Sequence, residues 1–279
     1  MPTLPLVDEF RPDVIFLGDD SKKIMFSGLD EIKIPKVWYV TDTHIWLDKN
    51  LADAHLFDLI FVGIREHACW FYTKEHPAFH LPLFTPFTSG DRSPNKNRMI
   101  YLSFVGNYES GIHQERAEFF WKLAKRTDVI VTTGDPKSIY LNSKIVINEN
   151  CLGRFGVGVN FRTFEAMAAG AMLLTEDIGE PLTGMFQPGK HCVTYRRHDV
   201  EDAMEKFLYY AEHDSLRKFI ARSGRAEVLA KHTVGHRVDV VLEKIGWRFW
   251  PYDERLSRQS RSSVDKRRAG RKCRTLRIG

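Results

Sequence analysis

The chain is poor in cysteine. Its four cysteines, Cys69, Cys151, Cys192 and Cys273, stand far apart and form no C-x-x-C pair. That argues against a structural zinc or a disulfide framework and makes a reducing cytoplasm the default location. No uninterrupted apolar run approaches the roughly 20 residues of a membrane span. The N-terminal Met1-Pro-Thr-Leu-Pro-Leu-Val-Asp-Glu9 puts no basic segment ahead of an apolar core, so no signal peptide is expected. There is no H-E-x-x-H pattern: His232 and His236 are four apart without the accompanying acid, and they read as structural, as do His191, His198 and His213. No D-x-D motif is present, although Asp19-Asp20 leaves a metal open. No repeat of fixed period is visible.

What is present is the composition of an ordinary soluble globular protein. The 279 residues, 43% hydrophobic and 28% charged, suit one large or two modest domains. The net charge of +5 is unevenly spread: from Glu254 onward the chain carries +8, and the remainder carries −3. A tail over 253–279 rich in Lys and Arg, without aromatics or periodicity, is expected to be disordered. It could touch nucleic acid or an acidic membrane, but a solvating extension is the favoured reading. The mildly acidic body argues against a large nucleic-acid-binding face.

Strand and helix signals alternate, as in α/β proteins. Val14–Leu17, Lys36–Val40 and Leu59–Val62 read as buried parallel strands that end in Gly or Asp turns. A proline-rich and polar run from Pro77 to Asn97 marks a domain boundary near residue 96. A second α/β unit over 97–252 begins with a strand at Met99–Val105 and continues with strands at Val129–Val131 and Lys144–Ile147. Its first helix, about Gln114 to Lys125, would present Ala117, Phe120, Trp121 and Ala124 on one face. Asp199 reads as the N-cap of a helix with Val200, Ala203, Met204, Phe207, Leu208 and Ala211 on its apolar face. Leu216, Phe219 and Ile220 mark another helix, with Gly224 near its end, and a last one spans about Thr233 to Ile245.

Chemistry concentrates in Asn160–Glu176, Asn-Phe-Arg-Thr-Phe-Glu-Ala-Met-Ala-Ala-Gly-Ala-Met-Leu-Leu-Thr-Glu. Asn160 is an N-cap candidate. Phe164, Met167 and Ala168 share a helical face, Gly170 can end the helix left-handed, and 171–175 reads as a buried strand. The preceding loop, 151–159, holds three glycines whose amides could approach a phosphate beside the positive helix end. Arg154 and Arg162 could bind a diphosphate. Glu165 is either an acceptor for ribose or hexose hydroxyls or a solvated first-turn acid. Asp42 and His44, after a buried strand, are either acceptor contacts and a general base or a turn residue with a surface histidine. Lys144 either neutralises phosphate or flanks its strand.

The order of motifs then resembles a known family. Val105-Gly-Asn107, an Arg116-bearing helix, Ser143-Lys-Ile-Val-Ile-Asn148, Arg162-Thr-Phe-Glu-Ala-Met-Ala-Ala-Gly170, Leu182–Gly189, His232-Thr233 and Arg237 follow one another. The set looks like the C-terminal donor domain of group 1 glycosyltransferases of the GT-B fold, most similar to the spore-maturation-type (CgeB-like) branch. Trp38–Asp42 and Phe57–Phe61 resemble that branch's N-terminal domain more loosely. The resemblance implies two Rossmann-like domains facing a cleft; the first of them, 1–96, departs from the family in being short. It implies a glycosyltransferase that moves a sugar from a nucleotide-sugar to an unidentified hydroxyl acceptor, with no cofactor and no metal. The alternative is a non-catalytic nucleotide-sugar-binding remnant. By position Glu165 matches the donor-binding Glu, and Arg162 with the preceding loop matches the diphosphate contacts, together with Asn160, Thr163 and Phe164 of the same segment. Gly106 and Asn107 match the glycine turn facing the cleft. Arg116, Lys144 and Asn148 match recurring positions. The wider family often places a second acid eight residues before its Glu; here that position is Val157.

Overall fold

The computed structural model describes residues 9–18, 28–87, 97–108 and 111–249. Short runs of Val, Ile, Leu and Phe become parallel strands, because a strand covered on both faces needs apolar side chains on both. β1 (Ile15–Gly18), β2 (Lys36–Val40), β3 (Leu59–Val62) and β4 (Ala78–His80) form a parallel sheet in that order. The helix α1 (Thr43–Asp53) follows β2, and the single turn α2 (Ala68–Phe71) follows β3. Trp38, stacked on Phe57 at 4.8 Å between ring centres, lies in the core beside this sheet with Val40, Ile60, Val62 and Phe71. Three strands were expected in this part of the chain. The fourth, β4, was hidden because Pro77 and Pro82 flank a pairing segment only three residues long.

The second sheet starts with β5 (Ile100–Val105), α3 (Gln114–Ala124), β6 (Ile130–Thr132), α4 (Pro136–Asn142) and β7 (Ser143–Asn148). A two-residue-per-strand hairpin, β8 (Leu152–Gly153) with β9 (Gly156–Val157), leads to α5 (Phe161–Ala168). Then come β10 (Met172–Glu176), α6 (Glu180–Thr183), β11 (Val193–Tyr195), α7 (Val200–Glu212), α8 (Asp214–Lys231) and α9 (Val234–Phe249). The five long strands are parallel in the order β11-β10-β7-β5-β6. The chain therefore reverses its direction of winding between β5 and β7. In open α/β sheets that switch point, at the strand C-termini, is where ligands bind. The expected boundary after residue 96 falls among residues 88–96, outside those described. The basic tail and Asp19-Asp20 are outside them as well. Residues from 239 onward, including the end of α9, belong to a second unit.

Several local expectations are corrected. Helix α3 is rotated from its expected face. Arg116, Phe119, Phe120 and Leu123 are buried, whereas Trp121 is 60% exposed with Lys125 Nζ 3.2 Å from its ring centre. The tightest pattern, at 116, 119, 120 and 123, contains an arginine, so hydrophobicity alone pointed elsewhere. Asp199 does cap α7, accepting from the Asp202 amide, but Leu208 lies on the exposed side. Of the three residues expected to be inside α8, only Ile220 is buried. Gly224 does not end that helix. It sits mid-helix, where a Cβ would collide with His191 O and meet Met167 Sδ at 3.0 Å. The glycine costs about 1 kcal/mol of helix propensity and lets α8 press onto α5. Gly170 is left-handed as expected, at φ +74°.

Candidate functional site

The C-terminal ends of both sheets open on one cleft of about 650 Å³. The first sheet supplies Thr41, Asp42, His44, Ile45 and Trp46 after β2, and Gly63 and Ile64 after β3. The second supplies Gly106 and Asn107 after β5, Thr133 and Gly134 after β6, and Cys151 after β7. Asn160, Phe161, Arg162 and Glu165 face it from the start of α5. Of the residues singled out in the sequence, eight therefore share one space: Asp42, His44, Gly106, Asn107, Arg116, Asn160, Arg162 and Glu165.

Two arginines organise the floor. Arg116, 3% exposed, donates from Nε to Glu149 Oε2 and from a terminal nitrogen to Asn107 O at 2.6 Å. Arg162 donates from Nε to Asn148 Oδ1 at 2.9 Å and from a terminal nitrogen to Glu149 O at 3.1 Å. Its guanidinium also lies over the Phe104 ring, 4.8 Å from the centre. A Cβ on residue 106 would stand 2.6 Å from the other terminal nitrogen of Arg162. Gly106 is thus the residue that gives this arginine its place. Burial first, then the nearby charge of Arg116, lowers the Arg162 pKa to about 10, so it stays charged at neutral pH. Removing either member of the Arg116–Glu149 pair would strand a buried charge, at a cost of about 3–5 kcal/mol.

Glu165 stands one turn into α5. Burial raises its pKa, opposed by Arg162 and reinforced by Asp135. His44 is pushed the other way: burial lowers its pKa, Asp42 opposes that shift, and His67 adds to it. Its Nδ1 is buried with no hydrogen-bond partner among the described residues. His67 Nε2 lies 2.9 Å from Phe155 O, and its Nδ1 lies 2.7 Å from Thr43 Oγ1. A carbonyl only accepts, so Nε2 carries the proton and Nδ1 accepts from the threonine.

Other expectations fall outside the cleft. Lys144 sits at the opposite end of its strand, with Nζ 3.4 Å from the Tyr101 ring centre. It does not line the cleft. Thr163 and Phe164 are fully buried on the inner face of α5: Thr163 Oγ1 accepts from Asn148 Nδ2 at 3.3 Å, and Phe164 packs on Phe186 and His232. Asn148 is itself buried and acts on Arg162 and Asn160 rather than on the open space. Asn160 has the extended backbone of an N-cap but makes no side-chain cap bond. Its Nδ2 donates instead to Asn148 Oδ1, Glu149 O and Asn150 Oδ1.

The glycine-rich loop is also put to another use. It is the β8–β9 hairpin, and Gly153 lies so close to the His44 carbonyl that any Cβ would collide with it. The Phe155 amide donates to His44 O at 3.1 Å, and the Phe155 ring joins the core of the first sheet. Arg154 is exposed and pairs with Asp48 at 3.4 Å. Gly153 thus serves packing between backbones, and Gly156 turns the hairpin at φ +115°. Only Gly158, 3.0 Å in Cβ terms from Ile64, lines the cleft.

The sequence reading missed Glu149, Glu176 and Trp46. A polar triplet, Asn148-Glu149-Asn150, directly after an apolar strand was the available signal for the first. Glu176 is fully buried at the end of β10, accepts from the amides of Asn150 and His198, and has its pKa raised by burial. With Glu149 and His198 it offers ligand atoms within 4.8 Å of one another. Arg116 on Glu149 and Arg197, 3.6 Å from Glu176, already bring positive charge to those carboxylates. The donor set therefore fits an ion-pair network better than a cation site. His232 and Arg237, matched only by order, join the second half to residues 82–85: Arg237 donates to Pro82 O, Leu83 O and His232 Nδ1.

A family model described as glycosyl transferase-like matches residues 102–243. No curated protein sequence matches. Among solved structures, Anabaena Alr3699/HepE in complex with UDP and glucose aligns at a TM-score of 0.60 and 11% identity, over 87% of this chain and 81% of that one. S. aureus TarM in complex with fondaparinux, alpha-GlcNAc-glycerol and UDP aligns at 0.58 and 11%, over 75% and 50%. The sucrose-phosphate synthase of Thermosynechococcus elongatus aligns at 0.59 and 10%, over 86% and 75%. The chain thus spans about half the length of TarM. Such low identities establish the parallel α/β fold alone. Among the described residues no helix is long and apolar enough to cross a membrane.

Proposed function

The chain belongs to the glycosyl transferase-like family, and on that premise we propose that it transfers a sugar from a nucleotide-sugar to a hydroxyl acceptor. The observation that carries this reading is the meeting of Gly106, Arg162 and Glu165 at the switch point of the second sheet. In it, the part of the chain from residue 97 binds the donor and the part up to residue 96 faces the acceptor. The motif order supports placement in the spore-maturation-type branch. UDP in the complexes of HepE and TarM makes a UDP-sugar the first donor to test.

The diphosphate rests on the N-terminal end of α5 and on Arg162, where the leaving nucleotide develops charge as the sugar departs. A fixed guanidinium and a helix end stabilise that charge without reorganising. Arg162 supplies positive charge that a metal provides elsewhere, so the reaction is proposed to be metal-independent and cofactor-free. Glu165 accepts from hydroxyls of the donor, and its raised pKa reflects the cost of an ion awaiting those donors. His44, held neutral by burial, takes the proton of the incoming hydroxyl, and Asp42 orients or stabilises it.

The test is a panel of nucleotide-sugars, read by thermal shift and by slow hydrolysis of the donor. Stabilisation by UDP and by one UDP-sugar, with hydrolysis of that sugar, supports the proposal. No stabilisation by any member would sink it, and binding without turnover under any acceptor would identify a non-catalytic binder.

A further inference from the structure

A second polar pocket lies away from the cleft, by the N-terminal ends of β5 and β7. It has a volume of about 800 Å³. Helix α8 lines it with Arg217, Lys218, Arg222 and Arg225; Lys218 and Arg222 stand four residues apart, and Arg217 and Arg225 eight apart on the neighbouring row. Arg98 and Lys144 face them from the sheet. The described lining contains one carboxylate, Asp214, already shared by Arg217 and Lys218.

Arg98, Arg222 and Lys144 pair with no carboxylate among the described residues: Arg222 donates to Lys218 O, and Lys144 Nζ lies on the Tyr101 ring. Arg98 donates to three backbone carbonyls, Tyr140 O, Ser143 O and Ala169 O, and Arg225 donates to Ala168 O. These carbonyls lie at the C-terminal ends of α4 and α5, each worth roughly half a negative charge. Leaving Arg225 aside, about two negative equivalents with Asp214 stand against five cations, Arg98, Lys144, Arg217, Lys218 and Arg222. Arg98 lies half-buried with two other guanidiniums among its nearest charges: burial first, then Arg217 and Arg225, lowers its pKa to about 10. Arg217 is 4% exposed and its Nε has no hydrogen-bond partner among the described residues. A body whose net charge outside the tail is −3 has gathered this excess into one concavity.

We propose that this pocket binds an oligophosphate, a ligand with at least two neighbouring phosphate groups bridging the α8 arginines and Lys144. Several guanidiniums at fixed spacing suit adjacent phosphates, which they engage by charge-assisted, paired hydrogen bonds. One carboxylate would leave most of the excess charge unmatched. The site is separate from the donor cleft and does not depend on the function proposed for it.

The full chain is treated with a lysine-acylating reagent, with and without inorganic tripolyphosphate, and modification is read peptide by peptide by mass spectrometry. Lys218 and Lys144 should be protected by at least about threefold, while the exposed Lys74 is unchanged, which separates this site from binding at the basic tail or the cleft. Arg222→Glu should abolish the protection of Lys218, and Arg162→Gln should leave it intact. Vesicles of phosphatidylcholine with and without phosphatidylglycerol form a second arm. Protection by the anionic vesicles but not by tripolyphosphate points to a single-phosphate lipid headgroup and overturns the oligophosphate proposal. No protection in either arm, or protection that survives Arg222→Glu, overturns the proposal.

Discussion

The guanidinium of Arg162 occupies the space that any side chain at Gly106 would need, 2.6 Å from the position of a Cβ. One residue closes the turn after β5, the other opens α5, and each is held in place by the other's shape. Asn148 and the Glu149 carbonyl fix the arginine from below. The positive charge that meets a diphosphate is therefore set by packing and not by a mobile surface side chain.

Gly106→Ala should displace Arg162 without unfolding the chain. The glycine is at φ +155°, so the methyl adds backbone strain to the collision. We expect UDP affinity to fall by at least about tenfold, the loss of a charge-assisted contact. Titration calorimetry against UDP checks this, and unchanged affinity would remove Arg162 from the donor site.

Glu165→Gln should separate stability from function. The folded pKa of Glu165 is raised, so its ionised form opposes folding once pH exceeds that value. At pH 7 the variant should melt at the same temperature or higher. It should bind UDP nearly as well as the parent but bind an intact UDP-sugar less well. Equal losses for both ligands would place Glu165 elsewhere.

His44→Gln should lower kcat by roughly 100-fold with little change in the KM for donor, the usual scale of a lost general base. Burial holds the folded pKa of His44 below 6.5, so the base stays deprotonated as pH falls past that value. The acid limb of the kcat profile in the parent protein should accordingly lie below pH 6.5. A limb at the ordinary histidine value, or an unchanged kcat in the variant, would reject His44 as the base.

Stability should decline on acidification in a defined window. His80 and His232 are both lowered from 6.5 to about 4, chiefly by burial, with nearby arginine charge assisting. An unfolded chain takes up those protons from about pH 6.5 downward, while the folded one resists until about pH 4. The folded state thus loses stability across that interval, by on the order of 2–3 kcal/mol per histidine. Urea titrations at pH 7 and pH 4.5 measure the difference. His232→Gln should shrink it, and an unchanged difference would assign the loss to carboxylates instead.

Parts of this were legible in the chain. The parallel strands and the ends of α5 followed from uninterrupted apolar runs and from Asn160 and Gly170, because those patterns are local. Asp42 and His44 stood out by their position after a strand end, Arg162 and Glu165 by the helix start, and Gly106 by the family resemblance; the parallel sheets gather them on one edge. The roles of Lys144 and Asn148 could not be read from the chain: residues four apart on a strand face opposite ends of the sheet, and which end meets the ligand is fixed only by strand order. The 151–159 glycines looked like a phosphate cradle because a glycine needed for close backbone packing and one needed for an anion have the same letter.

By itself, then, the sequence determined an α/β chain with parallel strands and a polar, arginine-bearing start to α5, since periodicity and turn chemistry act over a few residues. Only the tertiary structure decided that Gly106 makes room for Arg162, that Glu149 is the buried partner of Arg116, and that six cations share the pocket beside α8. Those relations join residues dozens of positions apart. Sheet order and helix packing create them, and no local pattern records them.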